Sequence, residues 1–133
     1  IIRATTADET GNLTYEHEGA YLGGVEQAIC VRNNGGLVIA QVKRVTANGS
    51  LRPHDVRVPG HLVDCIVVDA DQKQTTETPY APAISGEIMR PWSSFSLAEH
   101  GVEKVIARRA AQELKRGMTA NLGFGISAMV PRV

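Results

Sequence analysis

The segment Asn121-Leu122-Gly123-Phe124-Gly125-Ile126-Ser127 carries the residue types best suited to ligand chemistry in this 133-residue chain. Glycine lacks a Cβ, so the backbone at Gly123 and Gly125 can come close to a bound group. Main-chain N–H groups in such a loop can hold an anion or a developing oxyanion. Asn121 adds a side-chain amide, and Phe124 stands between the two glycines. The candidate substrate-binding set is therefore Asn121, Gly123, Phe124 and Gly125. A plain tight turn is the competing reading of the same residues. The dinucleotide fingerprint is incomplete: its third position is Ala128, a permitted variant, but no following helix is established. The acidic residue expected about 20 positions further on falls past Val133.

The other chemistry-bearing types are sparse. His17, His54, His61 and His100 form no i, i+4 pair, and the loose grouping of His54, Asp55, His61 and Asp64 does not make a metal site, so no metal is expected. No serine has the G-x-S-x-G setting. Glu16 and Glu18 lie two apart, on one face of a strand, and read as solvated rather than as an acid/base pair. Cys30 and Cys65 lack CxxC or histidine spacing and read as two buried thiols in a reducing compartment. Lys104, Arg108, Arg109, Lys115, Arg116 and Arg132 face only Glu103 and Glu113 in the last 33 residues. That excess would suit a phosphate-rich ligand, but a solvated helix face is the simpler account.

Elements that must position these groups are legible in outline. Asp8, Glu9, Gly11 and Asn12 mark a turn, with a short strand at Leu13 to Tyr15 after it. Leu22, Val25, Ala28, Ile29 and Val31 have helical spacing, and Asn33 to Gly36 should end that helix. Residues 37–45, LVIAQVKRV, predict one strand covered on both faces, followed by a turn at Asn48-Gly49. Residues 61–69, HLVDCIVVD, predict a second buried strand. The polar, proline-rich stretch 69–91 reads as a long connection, with Trp92 and Phe95 docking its end onto a core. Ser96 to Glu99 has capping-box spacing, although Gly101 argues for a slightly later start, with a helix from Val102 to Leu114 and Gly117 to close it. Val102, Val105, Ile106, Ala110 and Leu114 share its apolar face. Met118 to Leu122 then predicts a short strand running into the glycine loop. Strand, helix, strand order with buried strands gives an α/β fold.

Composition narrows the function classes. Lysine plus arginine and aspartate plus glutamate number 14 each, so no global charge draws the chain to nucleic acid or an anionic membrane. No apolar run approaches the roughly 18 residues of a membrane span. Hydrophobic residues at 43% and charged residues at 21% suit a globular domain. Ile1-Ile2-Arg3 does not open a signal-peptide pattern, and the sequence starts mid-pattern without a methionine.

Taken in order, several segments resemble the family I CoA-transferases, in the acetate/propionate branch with both lobes fused in one chain. They are TADETGNLTYEHE at 6–18, NNGGLVIAQVKRV at 33–45, VRVPGHLVD at 56–64, YAPAISGE at 80–87, KVIARRAAQELKRG at 104–117 and NLGFGIS at 121–127. The resemblance implies partial Rossmann-like lobes: residues 1–70 as the end of the first lobe, 71–100 as the inter-lobe connection and 101–133 as the start of the second. It also implies acyl-CoA and carboxylate substrates, coenzyme A as substrate rather than cofactor, a homo-oligomer and a cytoplasmic location.

The family's chemistry is nucleophilic catalysis by a glutamate, through a mixed anhydride and a glutamyl-CoA thioester, each tetrahedral step needing N–H donors. In that family the glutamate lies on a strand beyond the glycine loop. Here the last glutamate is Glu113 and no residue after Gly125 is acidic. No catalytic residue is assigned, because Glu87 does not match the family position. Ser127 stands where the family loop ends in proline, so φ is not fixed there. The expectation is an internal piece of a longer enzyme, inactive alone. Two alternatives are a non-catalytic CoA- or nucleotide-binding module and an assembly module.

Overall fold

The computed structural model describes all 133 residues, which divide into two compact units, Ile1–Met89 and Arg90–Val133. In the first unit, strands β1 (Ile2–Arg3), β2 (Thr6–Asp8), β3 (Leu13–Thr14), β4 (Ile39–Val42), β5 (Arg44–Thr46) and β6 (Cys65–Val68) accompany helix α1 (Gly24–Asn33). They form two three-stranded sheets. One has the order β1-β4-β6 and is all parallel; the other is β3-β2-β5, with β2–β5 parallel and β2–β3 antiparallel. The fold is α/β, as the strand, helix, strand order implies.

The run 37–45 is not one strand. Segments 2–8 and 39–46 run side by side through both sheets and break together, with Ala4 N–H donating to Gln41 O at 2.9 Å and Lys43 N–H to Thr5 O at 2.9 Å. The break hands β4 to one sheet and β5 to the other. Leu37 lies outside the strand and is exposed, whereas Val38 is buried. The second expected strand is also corrected: β6 starts at Cys65, forms a sheet edge, and exposes Cys65, Val67 and Val68. Only Ile66 of this strand packs on the core, because no element of the unit covers its other face.

That core comprises Ile2, Ala4, Ala7, Leu13, Tyr15, Ala28, Val38, Ala40, Val42 and Val58. Small residues at Ala4, Ala7, Ala28 and Ala40, all fully buried, let the strands and α1 approach closely. Helix α1 ends as its sequence requires. Gly35 takes φ 70°, and Gly36 N–H donates to Val31 O at 2.9 Å. The Asp8–Asn12 turn is held by one buried carboxylate. Asp8 Oδ1 accepts from the N–H groups of Thr10 (2.9 Å) and Asn12 (3.0 Å), while Oδ2 accepts from the Asn12 side-chain amide at 2.8 Å. Asn12 Oδ1 accepts in turn from Gly60 N–H at 2.8 Å, tying the turn to a distant loop.

The second unit holds α2 (Val102–Ala111), a short 3-10 turn at Trp92–Ser94 and a 3-10 segment at Ile126–Arg132. Its ends are joined where Ala98 N–H donates to Arg132 O at 2.9 Å and the Arg132 guanidinium donates to Ser96 O at 3.1 Å. Several expectations fail here. Met118 to Leu122 is not a strand, since no neighbouring strand exists in this unit to take its N–H and C=O groups. The helix takes the later start that Gly101 argues for: Gly101 caps α2, the Ser96–Glu99 capping box is not used, and no side chain bonds the exposed N–H groups. The helix stops at Ala111, before Leu114. Trp92, 80% exposed, and Phe95, 47% exposed, do not dock onto a core. Of the expected apolar face, Val102, Val105, Ile106 and Leu114 are exposed; Ala107 is the fully buried residue of the helix.

Candidate functional site

The glycine loop is open. Asn121, Gly123, Phe124 and Gly125 are all exposed, and Phe124 projects wholly into solvent. A Cβ on Gly125 would meet nothing within 4 Å, so its backbone is free to approach a ligand. Ser127 Oγ donates to Gly123 O at 3.2 Å and Ala128 N–H to Gly125 O at 3.0 Å, which together shape the bend. These bonds stand where a proline would have fixed φ. The candidate residues are adjacent in space as in sequence, and no carboxylate stands among them.

A second feature was not read from the sequence. The first unit carries a cleft of about 580 Å³ lined by Tyr15, Glu16, Glu18, Tyr21, Arg57 and Ser85 among others. That volume lies within the range of small-molecule sites. Glu16 and Glu18 are held, not freely solvated. Glu16 accepts from the Thr14 hydroxyl at 2.6 Å, from the Thr6 hydroxyl, and from the Arg44 guanidinium at 2.6 Å. Burial alone would raise the Glu16 carboxyl, but the Thr14 and Thr6 hydroxyls and the Arg44 charge outweigh it and hold the pKa below the ordinary value. Glu18 pairs with Arg3 at 2.9 Å and accepts from Gln72 at 3.1 Å, its side chain only 6% exposed. Both carboxylates are thus occupied as ion-pair anchors. The signal missed was long-range: Gln72 is 54 residues from Glu18.

Glu87 is also engaged. It accepts from Ser85 Oγ at 2.5 Å and from Tyr80 Oη at 2.6 Å, and these bonds, Ser85 first, keep its carboxyl ionised below the usual range. The Tyr80 ring lies 4.9 Å from that of His17. The two cysteines correct an expectation: Cys30 on α1 and Cys65 on β6 are both exposed and unpaired, since α1 and β6 each turn that face to solvent. No group of three or more His, Cys, Asp or Glu side chains is placed to hold a metal ion. No helix is long and apolar enough to cross a membrane.

The parallel β1-β4-β6 sheet, the turn at residues 8–12 and the order of the quoted segments define a class. The family profile described as coenzyme A transferase matches residues 1–69, and the chain belongs to that family. Among its relatives, the caffeate CoA-transferase of Acetobacterium woodii is 42% identical over 136 residues, covering 100% of this chain and 26% of that protein. The acetate CoA-transferase YdiF of Escherichia coli strain K12 is 41% identical, over 96% of this chain and 24% of its own length. A crystal structure of the acyl-CoA transferase YdiF from E. coli O157:H7, in a thioester complex with CoA, superposes with a TM-score of 0.80 at 40% identity, covering 96% of this chain and 26% of that one. Its apoenzyme gives the same TM-score. The chain therefore spans about a quarter of the length of the relatives it matches.

Proposed function

We propose that this chain is part of a CoA-transferase that exchanges CoA between a short-chain acyl-CoA and a carboxylic acid through a glutamyl-CoA intermediate. The observation that carries this reading is kinship in both sequence and backbone with CoA-transferases over 96% of the chain. On this reading the loop at Asn121, Gly123, Phe124 and Gly125 receives the CoA thioester. Its bare backbone lets N–H groups face the oxygen on which charge develops. On this reading the attacking carboxylate lies outside these 133 residues, since no acidic residue follows the glycine loop and Glu16, Glu18 and Glu87 are each held by partners of their own. A homo-oligomer and a cytoplasmic location belong to the same proposal.

A chimera tests it. Residues 1–133 replace the matching stretch of the E. coli acetate CoA-transferase, and acyl exchange is measured together with a borohydride-sensitive glutamyl-CoA adduct. Retained exchange and adduct are expected, both lowered by Gly125→Val. A folded chimera that shows neither overturns the proposal.

The second reading, a module that binds CoA without catalysis, draws on the loop's openness and its lack of a carboxylate. Calorimetry of the 133-residue chain with CoA separates the two. Micromolar binding by the chain alone favours the module, and an absence of heat favours the transferase part.

A further inference from the structure

The N-terminus of α1 is an unfilled polar corner. Its N-cap is Gly23, at φ 66°, with no side chain to cap the helix. Gly24 N–H donates to Tyr21 O and Gln27 N–H to Gly23 O, but Val25 N–H and Glu26 N–H have no acceptor. The preceding Leu22 is the chain's one non-glycine residue at positive φ, 51°, a conformation that costs energy unless its surroundings impose it.

Independently, Tyr15 brings a hydroxyl to this place. The residue is 7% exposed, and its Oη is buried with no hydrogen-bond partner. It abuts the helix's first residue: a Cβ built on Gly24 would lie 2.2 Å from Tyr15 Oη. Leaving a buried hydroxyl without a partner forfeits the hydrogen bonds it would make in water, so its survival here needs a reason. A third donor stands alongside. Arg57 makes no ion pair and lies over the Tyr21 ring, 4.5 Å from its centroid. Tyr15, Tyr21, Gly24, Glu26 and Arg57 line one cavity of about 300 Å³.

The geometry points to a binding site for a small monoanionic carboxylate at the N-terminus of α1, held by the Val25 and Glu26 N–H groups, the Tyr15 hydroxyl and the Arg57 guanidinium. The positive end of the helix dipole adds to the same attraction. Two carboxylates of the protein define the charge limit. Glu18 is neutralised by Arg3, while Glu26 is exposed and has no cationic partner. One Arg57 charge and a helix end against one Glu26 charge suit a monoanion better than a phosphate dianion. The site stands whether or not the protein transfers CoA, because the test reads binding alone.

The test is a titration of the 15N-labelled chain with sodium propionate at constant ionic strength, with sodium chloride as control. Saturable shifts of the Val25 and Glu26 amides are expected with propionate and not with chloride. Arg57→Ala, at an exposed side chain, should weaken binding about tenfold, as loss of a charged hydrogen bond does. Glu26→Gln should tighten it by roughly two- to fivefold, by removing a like charge near the helix end. Tyr15→Phe should weaken it without changing the fold. Unsaturable shifts, equal shifts with chloride, or an affinity unchanged in both Arg57→Ala and Glu26→Gln would overturn the site.

Discussion

Residues 1–89 and 90–133 use similar sequence patterns with different results. In the first unit part of the expected apolar face of α1 finds strands to cover: Ala28 is fully buried and Val25 and Val31 pack on the core, whereas Ile29 and the preceding Leu22 stay exposed. In the second, α2 has the more regular apolar stripe, yet Val102, Val105 and Ile106 remain exposed. Amphipathic spacing fixes which face of a helix is apolar; only a facing sheet decides whether that face is buried. The first unit has two sheets and the second has none.

The sharpest break of this contrast is at Leu13, which is fully buried in the first unit. Leu13→Ala should destabilise that unit by about 2–5 kcal/mol, measured by urea unfolding of the chain. Gly24→Ala comes next. The new methyl group would meet Tyr15 Oη, and overpacking of this kind costs about 1–3 kcal/mol. Adding Tyr15→Phe should recover part of that loss; if it recovers none, the clash lies elsewhere.

Acid should act on the first unit before the second. Burial of Asp8 would raise its pKa, but the Asn12 and Thr10 hydrogen bonds prevail and hold it below the ordinary 3.8. A lowered folded-state value means the stabilisation is complete above pH 3.8 and is lost as pH falls through the folded pKa. Glu16, also lowered, adds loss in the same direction. Unfolding midpoints measured from pH 5 down to pH 2 should fall for the native chain and fall less for Asp8→Asn. The smallest effect is expected at Val105, 67% exposed: Val105→Ser should change stability by less than about 0.5 kcal/mol. A cost well above 1 kcal/mol would mean that the stripe is covered after all, and the contrast between the units would fail.

What the sequence made legible was local. The stop of α1 at Asn33 to Gly36 and the turns at Gly11 and Gly49 need only left-handed backbone at those residues, and each glycine adopts it. The family, too, follows from ordered short segments. What depended on a partner far along the chain was not visible. The break at Lys43 is set by Thr5, and the burial of Glu18 by Arg3 and Gln72. Met118 to Leu122 has one strong strand former, Thr119, and no strand beside it. For the candidate loop, the glycines identified an approachable backbone, whereas the cleft around Tyr15 and Arg57 is assembled from three separate segments and has no linear signature.

The parallel order β1-β4-β6 has a further consequence for how the polypeptide is made. Ile2 pairs with Ala40, Ala40 with Ile66, and the Gln72 side chain then donates to Ala4 O. During vectorial synthesis β1 must wait unpaired until Ala40 has been made, and its sheet is not sealed until Gln72 follows. High sequence separation of this sort slows folding and lengthens exposure to aggregation, so a nascent chain that has passed β1 but not yet reached Gln72 is a natural client of a holding chaperone.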